Sequence, residues 1–260
     1  MIQTLAYGDG QRLAYAEYGD PSGYPILVQH GMIASIEDSH LFEVLLNKKV
    51  RLVCTARPGY ADSSPHLMAN LAEWGDLTAY LLRELMIFRF DILGMSSGAP
   101  YSYAIGRRFP HLARHIYIFS GTPALYNEAV RAEWPYPSSE NQGLEELQEM
   151  AHELFFANLS AEDLEKKDIR DSMSNHGFGI AQDMKLRSAD WGFTLAEVKQ
   201  KVFMRHSRAD DSVPYRTALR TAELLPTCEL ELVEADLHFS PEALGDFLEN
   251  TVLMKIEGGS

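Results

Sequence analysis

The regular alternation of short apolar runs with longer segments of helical spacing constrains this chain most. The runs predicted to be strands are 12–18, 25–29, 50–55, 88–93, 115–120, 201–206 and 229–234. The segments predicted to be helices are 37–47, 71–85, 99–109, 215–225 and 241–253. Several of the runs are apolar almost throughout, which is typical of strands that helices cover on both faces. The alternation therefore predicts an α/β fold with a doubly wound, mostly parallel sheet of about eight strands.

Residues 123–198 interrupt this alternation, because no strand pattern occurs there. Between positions 127 and 171 stand twelve acids and four bases, a balance of −8 within a total of −14. We interpret 123–198 as a helical cap, or lid, inserted into a core made of 1–122 and 199–256. A charge run of this kind favours a solvated outer face; the alternative is that it repels anionic substrates.

Composition excludes several classes of protein. With 46% hydrophobic and 23% charged residues the chain can bury a sizeable core. The net charge of −14 disfavours nucleic-acid binding, which needs clustered Lys and Arg. No apolar run reaches the roughly 18 residues of a membrane span, and the first residues, "MIQTLAYGDG", lack a signal-peptide pattern. Because Cys54 and Cys228 cannot form a disulfide framework, we expect a cytoplasmic protein.

The stretch "DILGMSSGAPYSYAIG", residues 91–106, contains a candidate catalytic serine. Its Gly94-Met95-Ser96-Ser97-Gly98 matches the pattern G-x-S-x-G, with an apolar run before it and a helical segment after it. A strand that turns into a helix this quickly strains the backbone at the central serine and leaves its hydroxyl exposed at the carboxyl edge of the sheet. The pattern favours Ser96 as a nucleophile.

A serine nucleophile needs a base, and the base needs a carboxylate that orients it. His238 lies between the last predicted strand and the last predicted helix, at the same sheet edge as Ser96. Asp210 and Asp211 follow the strand 201–206, so the chain order is serine, acid, histidine. His30 and His206 also end strands, and we interpret both as packed, hydrogen-bonded residues.

Together these segments resemble the α/β-hydrolase fold superfamily, and specifically its capped serine-hydrolase, esterase-like branch. The segments that carry the resemblance are "LVQHG", "RLVCTARPGYADSS", "GMSSG", "SRADDSVP" and "DLHFS". The resemblance covers roughly 10–122 and 199–255, and it leaves the cap unassigned.

The resemblance implies a role for five residues. Ser96 would be the nucleophile, His238 the base and Asp210, in preference to Asp211, the acid. The backbone N–H groups of Met32 and Ser97 would form the oxyanion hole. The resemblance implies no metal and no organic cofactor.

Four positions depart from the superfamily pattern without removing a triad group. Ser207 and Ala61 stand where glycine is usual, Ala56 replaces an aspartate, and Leu237 precedes the histidine. These departures weaken the assignment to any one subfamily.

The leading hypothesis is a serine hydrolase that cleaves a small or medium uncharged ester, or a related acyl compound, through an acyl-enzyme. One alternative is a C–C bond, lactone or aminoacyl-amide hydrolase that uses the same triad. Another is a ligand-binding protein that kept the fold without turnover. The expected partner is a small-molecule substrate, with no nucleic acid and no membrane, and the sequence carries no signal for oligomeric state.

Overall fold

The structure, a computed structural model, describes residues 2–234 and 237–258. Within those residues eight strands form one sheet in the order β1-β2-β4-β3-β5-β6-β7-β8. The strands are β1 (Gln3–Tyr7), β2 (Gln11–Gly19), β3 (Tyr24–Gln29), β4 (Val50–Thr55), β5 (Phe90–Met95), β6 (Ala113–Phe119), β7 (Lys201–Ser207) and β8 (Cys228–Val233). The pairs β1–β2 and β2–β4 are antiparallel, and every other neighbouring pair is parallel. The predicted fold class is confirmed.

Helices cover both faces of the sheet. The α-helices are α1 (Glu43–Leu46), α2 (Ala72–Glu84), α3 (Gly98–Arg108), α4 (Glu128–Arg131), α5 (Leu144–Phe155), α6 (Ala161–Leu164), α7 (Lys167–Ser188), α8 (Tyr215–Glu223), α9 (Pro241–Phe247) and α10 (Met254–Glu257). Two 3₁₀ turns, Ser39–Phe42 and Leu195–Glu197, and a π-helical segment, Leu248–Leu253, complete the set. Each sheet face buries its own apolar cluster, one around Trp74 and the other around Phe247.

The central strands position the site because they are buried along their length. All six residues of β5 are buried, as its nearly continuous apolar sequence predicts. The strand runs from Phe90 to Met95, two residues later than predicted, so Ser96 follows it directly. The parallel strands β3, β5 and β7 therefore bring the residues that follow them to one sheet edge.

Residues 123–198 contain α4 to α7 and, all of them being described, no strand. Helix α7 is divided by left-handed backbone at Asn175, His176 and Gly177, with φ of 53°, 57° and 70°. Ser160 begins α6 as an N-cap that exchanges hydrogen bonds with Asp163, as the sequence "SAED" predicts. We refer to residues 123–198 as the cap segment; that they form an inserted cap with these boundaries stays a prediction.

Some elements differ from the prediction. The edge strand β1 was not predicted, because its mostly exposed residues show little alternation. The helix predicted over 37–47 is broken at Phe42, which has φ −115° and turns its ring into the core, so only α1 and a 3₁₀ turn form. The helix predicted over 241–253 is continued beyond Phe247 as a π-helical segment.

Candidate active site

Ser96 sits in a strained turn between β5 and α3. Its φ is +47°, in the left-handed region that non-glycine residues rarely adopt. Three backbone hydrogen bonds hold it there: Ser96 N donates to Phe119 O over 3.0 Å, and the backbone N–H groups of Ala99 and Thr122 each donate to Ser96 O over 3.0 Å. A side chain at Gly98 would overlap the Gln29 carbonyl, so the second glycine of the motif is required by close backbone approach.

His238 connects Ser96 to an aspartate. Its Nε2 lies 2.8 Å from Ser96 Oγ, and its Nδ1 lies 2.9 Å from Asp210 Oδ2. The structure thus brings together Ser96, Asp210 and His238, the three residues that the sequence analysis selected as nucleophile, acid and base. With Nδ1–H donating to the carboxylate, Nε2 is free to accept the serine proton.

The surroundings of Asp210 keep it ionised. Its Oδ1 accepts hydrogen bonds from the backbone of Ser212 at 2.9 Å and of Val213 at 2.7 Å. Burial raises the pKa of Asp210, but hydrogen bonds from His206 and His238 and from the Val213 backbone outweigh it and hold this pKa far below its ordinary value. Asp211, by contrast, is exposed to solvent.

His206 lies behind this carboxylate. It is buried, and its Nε2 is 3.2 Å from Asp210 Oδ2 and 2.8 Å from Val213 O. It is a packed, hydrogen-bonded residue as expected, but its contact with the acid was not predicted. The histidine therefore supports the loop that presents Asp210.

The His30-Gly31 turn lies beside the nucleophile. A Cβ built on Gly31 would stand 3.7 Å from Ser96 Cβ. Within the described chain, the backbone N–H groups of Met32 and Ser97 donate no hydrogen bond, which leaves both available to a ligand. Two such donors next to a serine hydroxyl could bind an oxyanion.

Arg57 holds this turn in place. Its Nη1 donates to His30 O over 2.6 Å, and its Nη2 donates to Gly31 O over 2.9 Å. The Gly31–Met32 peptide is trans, so its C=O and N–H point in opposite directions. Because Arg57 fixes the carbonyl on its own side, it also directs the Met32 N–H to the other side.

The counter-charge of Arg57 comes from the cap segment. Asp183, on α7, accepts from Arg57 Nε at 3.2 Å and from Nη2 at 2.5 Å, with both side chains almost fully buried. Tyr60 and Tyr101 donate their hydroxyls to the same carboxylate over 2.9 and 2.6 Å. This network joins the cap segment to the turn beside Ser96.

His30 takes part in the network as a neutral ring. It is buried; its Nδ1 lies 2.7 Å from Gly31 O, and its Nε2 accepts from Arg57 N over 3.3 Å. Burial, and after it the charge of Arg57, lowers the pKa of His30 well below its ordinary value. The interpretation of His30 as a packed residue rather than a base agrees with this geometry.

Sequence reasoning missed Arg57 and Asp183. Arg57 lies in the segment "RLVCTARPGYADSS", which the sequence analysis used for the resemblance. That segment did not predict which groups Arg57 contacts. Asp183 carries no such signal, since it is one of many acids between β6 and β7. Its partner lies 126 positions earlier in the chain.

Two kinds of feature are absent from residues 2–234 and 237–258. No cluster of three or more His, Cys, Asp or Glu side chains there could hold a metal ion. In the same ranges, every helix is too short or too polar to cross a membrane.

Solved structures resemble the whole chain. A hydrolase from Pseudomonas aeruginosa is 18% identical, with a TM-score of 0.71 and coverage of 97% of each chain. A carboxylesterase structure from Nitrososphaera gargenis is 20% identical, with a TM-score of 0.72 over 98% of this chain and 100% of that one. The chain has the α/β-hydrolase fold. An esterase from Exiguobacterium antarcticum, 18% identical with a TM-score of 0.69 over 100% and 98% of the two chains, shares this α/β-hydrolase fold.

A sequence relative matches about half of the chain. An uncharacterized hydrolase of Bacillus subtilis (strain 168), YcgS, is 25% identical over 146 residues, which is 56% of this chain. The matched segment spans only 48% of YcgS. No protein-family model matches the chain.

Proposed function

We propose that this protein is a serine hydrolase that cleaves a carboxylic ester or a related acyl compound. The observation that carries the proposal is the chain of two hydrogen bonds, 2.8 Å from Ser96 to His238 and 2.9 Å from His238 to Asp210. The α/β-hydrolase fold and the esterases and hydrolases among the similar proteins support it.

The mechanism follows from the atoms at the site. Ser96 Oγ attacks the ester carbonyl carbon while His238 Nε2 takes the hydroxyl proton, and Asp210 stabilises the imidazolium that forms. The oxyanion binds between the N–H groups of Met32 and Ser97. As the intermediate collapses, the C–O bond to the alcohol breaks and His238 returns the proton to the leaving oxygen.

Deacylation repeats these steps with water. His238 takes a proton from the water, whose oxygen attacks the acyl carbon of Ser96. As the second intermediate collapses, the bond between the acyl carbon and Ser96 Oγ breaks, His238 returns its proton to Oγ, and the carboxylic acid is released. No step of this mechanism uses a metal or an organic cofactor.

The test is labelling with a fluorophosphonate, followed by mass mapping of the labelled peptide. We expect phosphonylation on Ser96 and hydrolysis of 4-nitrophenyl butyrate, both lost in Ser96→Ala. The matched control is Ser22→Ala, an exposed serine in the turn between β2 and β3, which should keep both. Labelling of the Ser96→Ala variant at wild-type extent would refute the proposal, and so would a folded wild type that neither labels nor turns over any ester.

The partner of this site is a small-molecule substrate rather than nucleic acid or a membrane. The net charge of −14 supports the first exclusion. A cytoplasmic location stays a prediction.

A further inference from the structure

A second cleft lies at the edge of the sheet opposite to Ser96. It has a volume of about 590 Å³ and is lined in part by Tyr24, Val50, Arg89 and Arg114. These residues stand at or next to the first residues of β3, β4, β5 and β6, whereas Ser96 follows the last residue of β5. Because a strand rises about 3.3 Å per residue, the cleft is roughly 20 Å from the nucleophile. Its volume is within the range of small-molecule binding sites, roughly 300–1,000 Å³.

Cations dominate the charged lining of this cleft. Of its ten lining residues one, Glu257, is acidic, and four are cationic: Lys48, Lys49, Arg89 and Arg114. The whole chain has 37 acids against 23 Lys and Arg residues, so its composition does not predict a cationic cleft. We call this site the basic cleft. A cleft lined by one sign of charge attracts small ions of the opposite sign.

Two of the four cations have partners. Arg114 donates to Asp91 from Nε over 3.3 Å and from Nη2 over 3.2 Å, so this buried carboxylate balances its charge. Lys48 Nζ lies 3.8 Å from Glu257 Oε1, and both of these side chains are about half exposed. An exposed ion pair of this kind contributes little to stability.

The other two cations, Lys49 and Arg89, have no counter-ion. Both are exposed, and no carboxylate in residues 2–234 and 237–258 lies within 4.0 Å of either side chain. Asp20 interacts electrostatically with Lys49, but only from beyond that distance. The Tyr24 N–H donates to Lys49 O over 2.9 Å, and Arg89 is close enough to act electrostatically on the Tyr24 hydroxyl. The basic cleft therefore presents two unbalanced positive charges near one tyrosine.

The basic cleft also has an apolar wall. Leu253 and Ile256, from the last helical segments of the chain, line it together with Tyr24. The Tyr24 side chain is fixed, because its hydroxyl donates to Asp91 over 3.0 Å and its ring centre lies 4.9 Å from the guanidinium carbon of Arg114. A ligand that fits this cleft combines an anionic group with an apolar part.

We propose that the basic cleft binds a small organic phosphate, with the phosphate at Lys49 and Arg89 and the apolar part on Leu253 and Ile256. A phosphate ester carries about −1.5 to −2 charge at pH 7 and three acceptor oxygens, which matches two unbalanced cations better than a single carboxylate does. Arginine binds phosphate through its planar fork of donors, and lysine binds it as a point charge. This site is separate from the candidate active site and does not depend on the proposed hydrolase activity.

Isothermal titration calorimetry tests the proposal, with ADP as the probe and the uncharged adenosine as its match. We expect ADP to bind with a Kd below about 1 mM and adenosine to bind at least about tenfold more weakly. Inorganic pyrophosphate should also bind more weakly than ADP, because it has no part that contacts the apolar wall. Equal Kd values for ADP and adenosine would overturn the role of the cations, and equal values for ADP and pyrophosphate would overturn an organic ligand.

A pair of double variants tests the position of the phosphate. Lys49→Gln/Arg89→Gln should raise the Kd of ADP by about tenfold or more. The matched control, Arg12→Gln/Arg216→Gln, removes two positive charges from exposed residues near the carboxyl edge of the sheet. Its Kd should stay within about threefold of the wild type, because salt screens exposed charges beyond about 8 Å. The same Kd in all three proteins, or no detectable binding of ADP by the wild type, would refute the basic cleft as a phosphate site.

Photolabelling locates the bound probe without a change at the cleft. In the wild type and in Ser96→Ala alike, 8-azido-ADP should label peptides that contain residues 47–50 or 253–257. Label confined to the cap segment would instead place ADP near the candidate active site and overturn the proposal. A wild type that is labelled at the basic cleft but hydrolyses no ester would support the cleft and refute the hydrolase proposal.

Discussion

A substitution of Arg57 tests most directly how the turn beside Ser96 is positioned. Replacement by Met keeps the volume of the side chain but removes the guanidinium, leaving the Asp183 carboxylate buried without a cation and His30 O without its donor. Breaking a buried ion pair from one side typically costs about 3–5 kcal/mol of unfolding free energy. Because the Gly31 carbonyl loses one of its two donors and keeps only His30 Nδ1, the Met32 N–H is directed less firmly, and we expect kcat to fall by roughly 10²- to 10³-fold.

A second substitution separates the two effects. In Arg57→Met/Asp183→Asn the unpaired carboxylate of residue 183 is replaced by a neutral amide. About 2 kcal/mol or more of the lost unfolding free energy should therefore be regained. The turn still lacks its anchor, so kcat should stay low. Urea unfolding gives the first quantity, and hydrolysis of 4-nitrophenyl butyrate at a temperature where both variants are folded gives the second.

The control is another arginine whose partner is a buried acid. Arg114 pairs with Asp91 at 3.2 Å near the start of β6, at the opposite edge of the sheet from Ser96. Arg114→Met should lower stability without a comparable loss of kcat. If the double variant recovers kcat together with stability, the positioning role of Arg57 is wrong.

Three further predictions use single positions. Asp210→Asn should lower kcat by about 10⁴-fold. The same change at the exposed Asp211 should alter kcat by less than about threefold. Similar kcat values for the two variants would reject Asp210 as the acid. His30 is neutral in the folded protein but takes up a proton below about pH 6.5 in the unfolded chain. The free energy of unfolding should therefore decrease by up to about 1.4 kcal/mol for each pH unit below that value. In urea unfolding of His30→Gln, this free energy should depend less steeply on pH between pH 6.5 and 5. Ala61 has φ +44°, so Ala61→Gly should raise the unfolding free energy by about 0.5–1 kcal/mol, and a thermal melt with no rise would contradict strain at this position.

The sequence predicted the parts of the fold that depend on local pattern. Strand β4 begins and ends as predicted. The turn at Ser96 was also predictable, because a strand before it, a helix after it and a glycine on each side leave the backbone few possible conformations.

The missed features depend on contacts between distant positions. Arg57 and Asp183 are 126 positions apart in the chain, and nothing in the local sequence of either residue encodes their contact.

The bond between Asp183 and Arg57 has a consequence for protein engineering. Replacing the cap segment by an unrelated segment would remove the acid on which Arg57 depends. A successful hybrid should therefore either restore a carboxylate at the position of Asp183 or replace Arg57 at the same time. In this respect the cap segment and the sheet cannot be exchanged independently of each other.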